Sequence, residues 1–410
     1  MDEGRKNLIV EKRQIEYSEK ASSSPIVIDV LSSSKQAEAA CRWQDLEQCT
    51  NNTGLTNSWI WVKTWLDYHA PLIEYSFIFG QHNGQIIGAA LVVEALYKRR
   101  GIPVARIHLG TGKYVEYNRL LVVPEYLDSF AVELVKTVQH QFCWSELHLD
   151  GFVSEDAKAL LKAGRNAGLL FRQVDVRKSP IFEFQKASDD GHQDVLPALG
   201  KNTRANLRRS SRLFEDTFGP VTVEWAETAE QARAILKELI DLHQIRWTRM
   251  KDQTGAFDKE HLKAYFAGMI DTLKLWPHGS LIICRVKAGE TTLGCLYHYI
   301  EDGHIMFTKG GIAQFEDAKM KPGLIAHVAC MDECWKRGLA EKWYGNKGLT
   351  KYDFLAGDEP YKDTLTNTQG RLVWATAERG LLLWLMRRIS DIKNKMKDII
   401  RKRYEAEGKN

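Results

Sequence analysis

The sequence predicts an α/β protein with mixed sheets, built as two similar halves in tandem. Three observations lead there. Apolar runs of period two alternate with stripes of period 3.6, two β-hairpins share a glycine pattern, and the elements around those hairpins recur in the same order. The first hairpin, YSFIFGQHNGQIIGAALVVE, carries Asn83-Gly84 at its turn and Ile87-Gly88-Ala89 beyond it. The second, SLIICRVKAGETTLGCLYHYI, carries Ala288-Gly289 and then Leu293-Gly294-Cys295. Asn-Gly is the strongest short hairpin signal because both turn residues need positive φ.

Along the chain, residues 1–25 are polar and charged and are expected to form a mobile tail. A helical stretch from about 35 to 70 holds Trp59, Trp61 and Trp65. After the first hairpin, Phe130, Leu134 and Val138 stand four apart, which predicts a helix over 127–142. The strand WSELHLDGF, a helix over 154–167 and the strand RQVDVRKSPIFEF follow. The second half begins with helices over 227–250 and 258–274, then its hairpin and strand 304–311. Helix 322–338 and strand 351–357 complete it. The expected organisation is a tail (1–25), an N-terminal half (26–190), a C-terminal half with the donor site (191–380) and a basic helix (381–410).

Composition fits this. The 410 residues, 44% hydrophobic and 27% charged, exclude wholesale disorder and small disulfide scaffolds. No apolar run approaches the roughly 18 residues of a membrane span, and the N-terminus lacks the apolar stretch of a signal peptide. Seven cysteines without a C-x-x-C pair suit a reducing compartment. A cytoplasmic protein is expected. The net charge of +4 conceals two basic segments, 201–212 at +5 and 387–403 at +6, so the remaining residues carry −7. A uniformly basic nucleic-acid binder is thereby excluded. In the second basic segment Leu385, Ile389, Ile392, Met396 and Ile399 keep helical spacing, which makes an amphipathic cationic helix. Its apolar stripe suits packing on the body or on a second subunit; an anionic membrane surface under 385–403 is the other reading.

Several chemistries fail on spacing. Gly110-Thr111-Gly112-Lys113 lacks the flanking Gly and Ser/Thr of a phosphate loop, and there is no G-x-S-x-G or H-E-x-x-H. His327, Cys330 and Cys334 share a helix face, but seven residues rise about 10.5 Å, too far for both ends to reach one ion. No metal is expected. Two places remain. Lys319 and Lys321 precede Pro322-Gly323-Leu324 at a helix start, where free N–H groups and lysines suit a pyrophosphate; a plain helix start with solvated lysines fits the same residues. Asp358, Glu359, Tyr361 and Lys362 follow a strand ending at Gly357, a position suited to acid–base work, though the residues alone read rather as a surface turn.

The run YDFLAGDEPYKDTL (352–365) resembles the closing motif of the CelD/BcsL-like acetyltransferases of the GNAT superfamily. TNSWIWVKTWLDYH (56–69), KNTRANLRRSSRLFE (201–215) and LHQIRWTRM…GAF (242–257) are similar to that family's Trp-rich helix, Arg-rich helix and His…Arg-Trp…Gly segment, in the same order. The resemblance covers about residues 40–380 and implies two tandem GNAT-like acyltransferase halves, an architecture shared with Fem-type aminoacyl transferases. It implies acetyl-CoA or another acyl-CoA as co-substrate, held by Lys319, Lys321, Gly323 and Leu324. The family's pyrophosphate loop is here reduced to Lys319-x-x-Pro322-Gly323, with Gly323 its one fair match. The resemblance further implies direct acyl transfer, with Asp358, Glu359 or a bound water accepting a proton, Tyr361 donating to the leaving thiolate and Lys362 facing the oxyanion. Arg204, Arg208, Arg246 and Trp247 are the expected contacts to an anionic acceptor.

The expected function is acyl transfer to a polysaccharide, lipid-linked glycan or amino-sugar acceptor, in the cytoplasm or at the inner membrane face. The rival expectations are a Fem-like aminoacyl transferase using charged tRNA and a non-catalytic GNAT scaffold in exopolysaccharide assembly.

Overall fold

The fold is described by a computed structural model covering residues 25–51, 53–99, 101–112, 115–249, 255–341, 348–357 and 359–380. The tail over 1–24 and the basic helix expected over 381–410 lie outside the described residues. In chain order the first elements are β1 (Val27–Ser32), α1 (Gln36–Cys49), α2 (Trp59–His69), β2 (Glu74–His82), β3 (Gln85–Arg99), β4 (Ile102–Leu109) and β5 (Leu121–Val122). Next come α3 (Leu127–Gln141), β6 (Glu146–Val153), α4 (Ser154–Asn166), β7 (Phe171–Glu183), α5 (Phe184–Asp189), α6 (Val195–Ala198) and α7 (Lys201–Phe218). The rest are β8 (Val221–Trp225), α8 (Ala229–Arg249), α9 (Glu260–Leu273), β9 (Leu281–Ala288), β10 (Thr291–Glu301), β11 (His304–Ile312), α10 (Pro322–Glu341), β12 (Lys351–Asp353), α11 (Pro360–Thr364) and β13 (Thr368–Glu378). Among these elements no helix is long and apolar enough to cross a membrane.

Contacts divide the chain into two units. Among the described residues, the first gathers those from 25 to 53, 73–175 and 373–380; the second gathers 54–72 and 176–372. In the first unit β1, β2, β3 and β4 pair antiparallel in sequence order, and β4 then pairs parallel with β6 through the crossover helix α3. The second unit repeats this: β8, β9, β10 and β11 pair antiparallel, and β11 pairs parallel with β12 through α10. The tandem α/β organisation is therefore present as a repeated topology.

The grouping does not follow the chain halves. The Trp-rich helix α2 belongs to the second unit, where Trp61 meets Tyr299 edge-on at 4.8 Å and Tyr68 packs on Tyr265. There Gly268 is needed for close approach, since a Cβ would lie 2.0 Å from the Tyr68 hydroxyl. The closing strand of each repeat is also exchanged. β7 pairs with β12, Lys351 opposite Glu183, while β13 neighbours β6.

The shared glycine pattern has a packing cause. Asn83 and Gly84 adopt φ of 50° and 76°, as a two-residue hairpin turn needs. Beyond the turn, a Cβ at Gly88 would lie 2.7 Å from the Phe130 ring of α3. The counterpart Gly294 makes room for Ile312 and for Ala326 of α10. In both repeats the second glycine lets the crossover region sit close on the sheet. The core of the second unit includes Phe182, Phe214, Trp225, Leu296, Met331 and Trp335.

Candidate active site

The site begins where β11 and β12 part. Their parallel ladder runs only from His304–Lys351 to Met306–Asp353. The strand expected over 351–357 stops at Asp353 because its buried carboxylate accepts from the Leu355 N–H at 2.7 Å and Leu355 turns to φ 58°. β11 continues to Ile312 without that neighbour, and a bulge opposite Tyr297 and His298 leaves Thr308 out of register with β10.

The gap opens into a cleft of about 900 Å³ within the second unit. Its walls come from α8 (His243, Arg246), β11 and the loop after it, the start of α10, and the 359–361 segment (Glu359, Tyr361). Three cations, Arg246, Lys309 and Lys321, face one carboxylate, Glu359, among the described lining residues. Such a balance favours an anionic ligand. Pro322 supplies the first residue of α10, and the Lys321 N–H is held by the Ser210 hydroxyl of α7 at 2.8 Å. Gly323 lines the cleft, and a Cβ there would meet only Ile312, at 3.6 Å. The fold therefore does not demand glycine at 323; the bare backbone leaves the helix N-terminus open to a ligand.

The floor is aromatic and polar. His327 stacks on Tyr361, with ring centres 5.7 Å apart, and meets Phe307 edge-on at 4.5 Å. His327 Nδ1 lies 3.0 Å from the Tyr352 hydroxyl, which lies 2.8 Å from His298 Nε2; His298 Nδ1 faces the Ile282 carbonyl at 3.3 Å. The carbonyl can only accept, so the chain has one consistent direction. His298 Nδ1–H donates to Ile282, Tyr352 O–H donates to His298, and His327 Nδ1–H donates to Tyr352. The remaining nitrogen of His327 is then an acceptor. Burial lowers both imidazoles to about 3, so each is neutral at pH 7.

This has a measurable consequence. The unfolded chain binds protons at these histidines from about pH 6.5 down to 3, whereas the folded chain does not. Their stabilisation is therefore complete above pH 6.5 and is lost as pH falls. Between pH 7 and 5 each is expected to cost about 2 kcal/mol. Denaturant titrations at the two pH values check this, and equal stabilities contradict the neutral relay.

The other site groups are also tuned. Burial, the Lys309 and Arg246 charges lower His243 to about 4. Burial, reinforced by Glu359 and opposed by Arg246, pushes Tyr361 up to about 12. Glu359 is penalised by burial, but the hydrogen bond and charge of Lys362 outweigh that and hold its carboxyl below the usual range. Lys362 is itself buried and does not line the cleft. Its Nζ donates to Glu359 at 2.9 Å and reaches the carbonyls of Leu355 and Ala356 at 3.4 and 3.3 Å. Gly357, at φ 154°, passes over this contact; a Cβ there would fall 2.3 Å from the Glu359 carboxylate and 2.6 Å from Nζ.

The structure thus brings together Arg246, Lys321, Gly323, Leu324, Glu359 and Tyr361 on one cleft. Asp358 and the side chain of Trp247 lie outside the described residues. Lys319 is exposed and its N–H donates to Asp317. Arg204 is spent on the carbonyls of Pro197 and Leu199, at 2.9 Å each. Arg208 lines a separate recess of about 330 Å³ between α7 and α10. His243, Phe307, Thr308, Lys309 and His327 are lining residues that the sequence reading did not assign. His243 stands three before Arg246, on the same helical face, and this spacing could have found it.

Residues 201–363 match the family described as an acetyltransferase (GNAT) domain, a span that contains the whole cleft. The matched residues lie within the second unit, and the match supports an acyltransferase. No curated protein matches the sequence. Among solved structures the chain is similar to FemX, at 12% identity and a TM-score of 0.55, over 85% of this chain and 98% of that one. It is also similar to the C-terminal domain of a putative lysylphosphatidylglycerol synthetase from Agrobacterium fabrum, at 11% identity and a TM-score of 0.48, over 84% and 93%. A conserved protein of unknown function from Bacteroides thetaiotaomicron matches at 10% and 0.47, over 83% and 97%.

Proposed function

We propose that the cleft transfers an acyl group from an acyl-CoA thioester to an amine or hydroxyl of a glycan or amino-sugar acceptor, as in the CelD/BcsL-like acetyltransferases. The observation that carries this reading is the parting of β11 from β12 beside an open helix N-terminus and three cations. The thioester enters between the strands, where the free edge of β11 offers backbone N–H groups to its carbonyl, and the pyrophosphate meets Gly323 and Lys321. The acceptor attacks the carbonyl carbon, the new C–N or C–O bond forms as C–S breaks, and the acceptor's proton leaves by Glu359 to water. Tyr361 faces the departing sulfur. Lys362 positions this segment rather than touching the oxyanion.

A glycine-free helix start tests the donor side. Gly323→Ala is expected to leave stability unchanged or raised by up to about 1 kcal/mol, because glycine is a poor helix residue. The added methyl is expected to weaken acyl-CoA binding about tenfold, a cost of about 1.4 kcal/mol. Unchanged affinity in titration calorimetry removes the helix start from the donor site.

The second reading is aminoacyl transfer from charged tRNA, which the likeness to FemX over 85% of the chain supports. Thermal shift separates the two. A donor present at a hundred times its Kd stabilises by about 2.7 kcal/mol. Stabilisation by acyl-CoA supports the first reading and stabilisation by aminoacyl-tRNA the second. Stabilisation by neither leaves the non-catalytic scaffold. The basic segment 385–403 is proposed as a contact to an anionic membrane surface near such acceptors, and vesicle co-sedimentation with and without anionic lipid tests it.

A further inference from the structure

The first unit, which lacks the cleft, contains a different polar cluster. β4 and β6 are parallel neighbours with His108 opposite His148 and Arg106 opposite Glu146. Glu146, His148 and Asp150 alternate along β6, so all three project from one sheet face beside Arg106 and His108. The two imidazoles lie with ring centres 5.0 Å apart. Side-chain exposures are 11% for His108, 9% for Asp150 and 17% for His148, so the group is largely withdrawn from water yet still reachable.

We propose that His108, His148 and Asp150 bind one divalent transition-metal cation, with Zn²⁺ best suited to the donor set. One ligand atom from each lies within 4.8 Å of the others. Coordination at Zn–N and Zn–O lengths needs separations of about 3.3–3.5 Å, so the wider pairs close by at most about 1.5 Å while His108 Nδ1 and Asp150 Oδ2, now 2.5 Å apart, open by about 1 Å around the ion. The surroundings are those of a ligand set. Glu146 lies 3.1 Å from His148 Nε2 and accepts its hydrogen, which leaves Nδ1 as the ligating atom, 3.3 Å from the Thr376 hydroxyl. Arg106 holds the same Glu146 oxygen through two nitrogens at 2.9 and 2.7 Å, and Arg99 takes the other at 3.0 Å. A carboxylate so fixed behind a histidine sets its tautomer and ring plane. At the other ligand, His108 Nδ1 and Asp150 Oδ2 share a hydrogen across 2.5 Å. The cation takes the place of that hydrogen at Nδ1, and the imidazole, neutral as a ligand, carries its one hydrogen on Nε2 instead. The expectation of no metal weighed only the His327 helix face, because parallel pairing of 108 with 148 is invisible until the strands are aligned.

The test uses the untagged full-length protein after chelator treatment, titrated with Zn²⁺ against a chromogenic chelator and separately with Co²⁺. One equivalent is expected to bind. The Co²⁺ complex is expected to show ligand-field bands without a thiolate charge-transfer band, since the donors are N and O. His148→Ala and the near-isosteric Asp150→Asn are each expected to weaken binding. Losing a ligand should cost at least what losing its outer partner does, up to about a hundredfold. Replacing the exposed Cys41 and Cys143 by Ser is expected to change nothing. Absence of stoichiometric binding, a thiolate band, or unchanged affinity in both ligand variants overturns the proposal. Circular dichroism of each variant distinguishes a lost ligand from a lost fold, and Asp150→Asn decides the matter where His148→Ala does not fold.

Discussion

Replacing Lys362 by Met is expected to lower kcat about a hundredfold and stability by about 2 kcal/mol, through one displaced segment. The ammonium is a buried staple for residues 355–359. Without it the Leu355 and Ala356 carbonyls lose a charged donor, Glu359 swings to water, and Tyr361, one residue before Lys362, shifts against His327. Gly357→Ala attacks the same contact from the other side, because its Cβ falls on Nζ and on the Glu359 carboxylate. Two changes that break one contact should not add. The double variant is therefore expected to be little worse than either single one, in kcat and in denaturant midpoint. Fully additive losses of kcat would assign Lys362 a direct role on the reacting atoms.

Tyr361→Phe is expected to lower kcat by about 10- to 100-fold, with KM for the donor and stability little changed. The range follows from the phenol's acidity. A hydroxyl raised to about 12 does not surrender its proton to a thiolate whose conjugate acid lies near 8.5; full transfer is uphill by about 5 kcal/mol. On the proposed mechanism Tyr361 is therefore a hydrogen-bond donor to the developing thiolate, worth about 1.5–3 kcal/mol for a charged partner. A thioester with a more acidic thiol needs that bond less, so the defect should shrink with an aryl thioester donor. A uniform defect across leaving groups, or unchanged turnover, removes Tyr361 from the leaving-group side.

The sequence made the repeated α/β units legible because their signals are local: Asn-Gly at a turn, the four-residue spacing of Phe130, Leu134 and Val138, and Pro322-Gly323 at a helix start. The Pro322-Gly323 signal and the motifs around Arg246 and Glu359–Lys362 located a third of the described cleft lining. What stayed hidden depends on pairing and register. Lys309 and Thr308 line the cleft only because β12 stops at Asp353, and that stop rests on a hydrogen bond from Leu355 to the Asp353 side chain. Arg204 and Arg208 are not among the residues lining this cleft, and an Arg-rich helix reads alike whether its guanidinium groups bind a ligand or clamp the helix's own entry, as Arg204 does at Pro197 and Leu199. Lys362 was found by its motif, while its burial against Glu359 and the Leu355 and Ala356 carbonyls depends on the loop's path and was not legible.

The exchanged closing strands carry a consequence for the gene. A single-domain ancestor that doubled would begin as two separable copies, either of which a deletion removes cleanly. Once β7 pairs with β12, β13 neighbours β6 and α2 joins the second unit, each unit draws residues from both sides of any single cut between residues 54 and 372. A reading frame interrupted at residue 190 encodes neither unit whole: the downstream piece lacks α2 and β7, and the upstream piece lacks β13. Duplication by such a route cannot be reversed by deletion. Fusion of foreign domains therefore belongs at the chain ends and not at the midpoint.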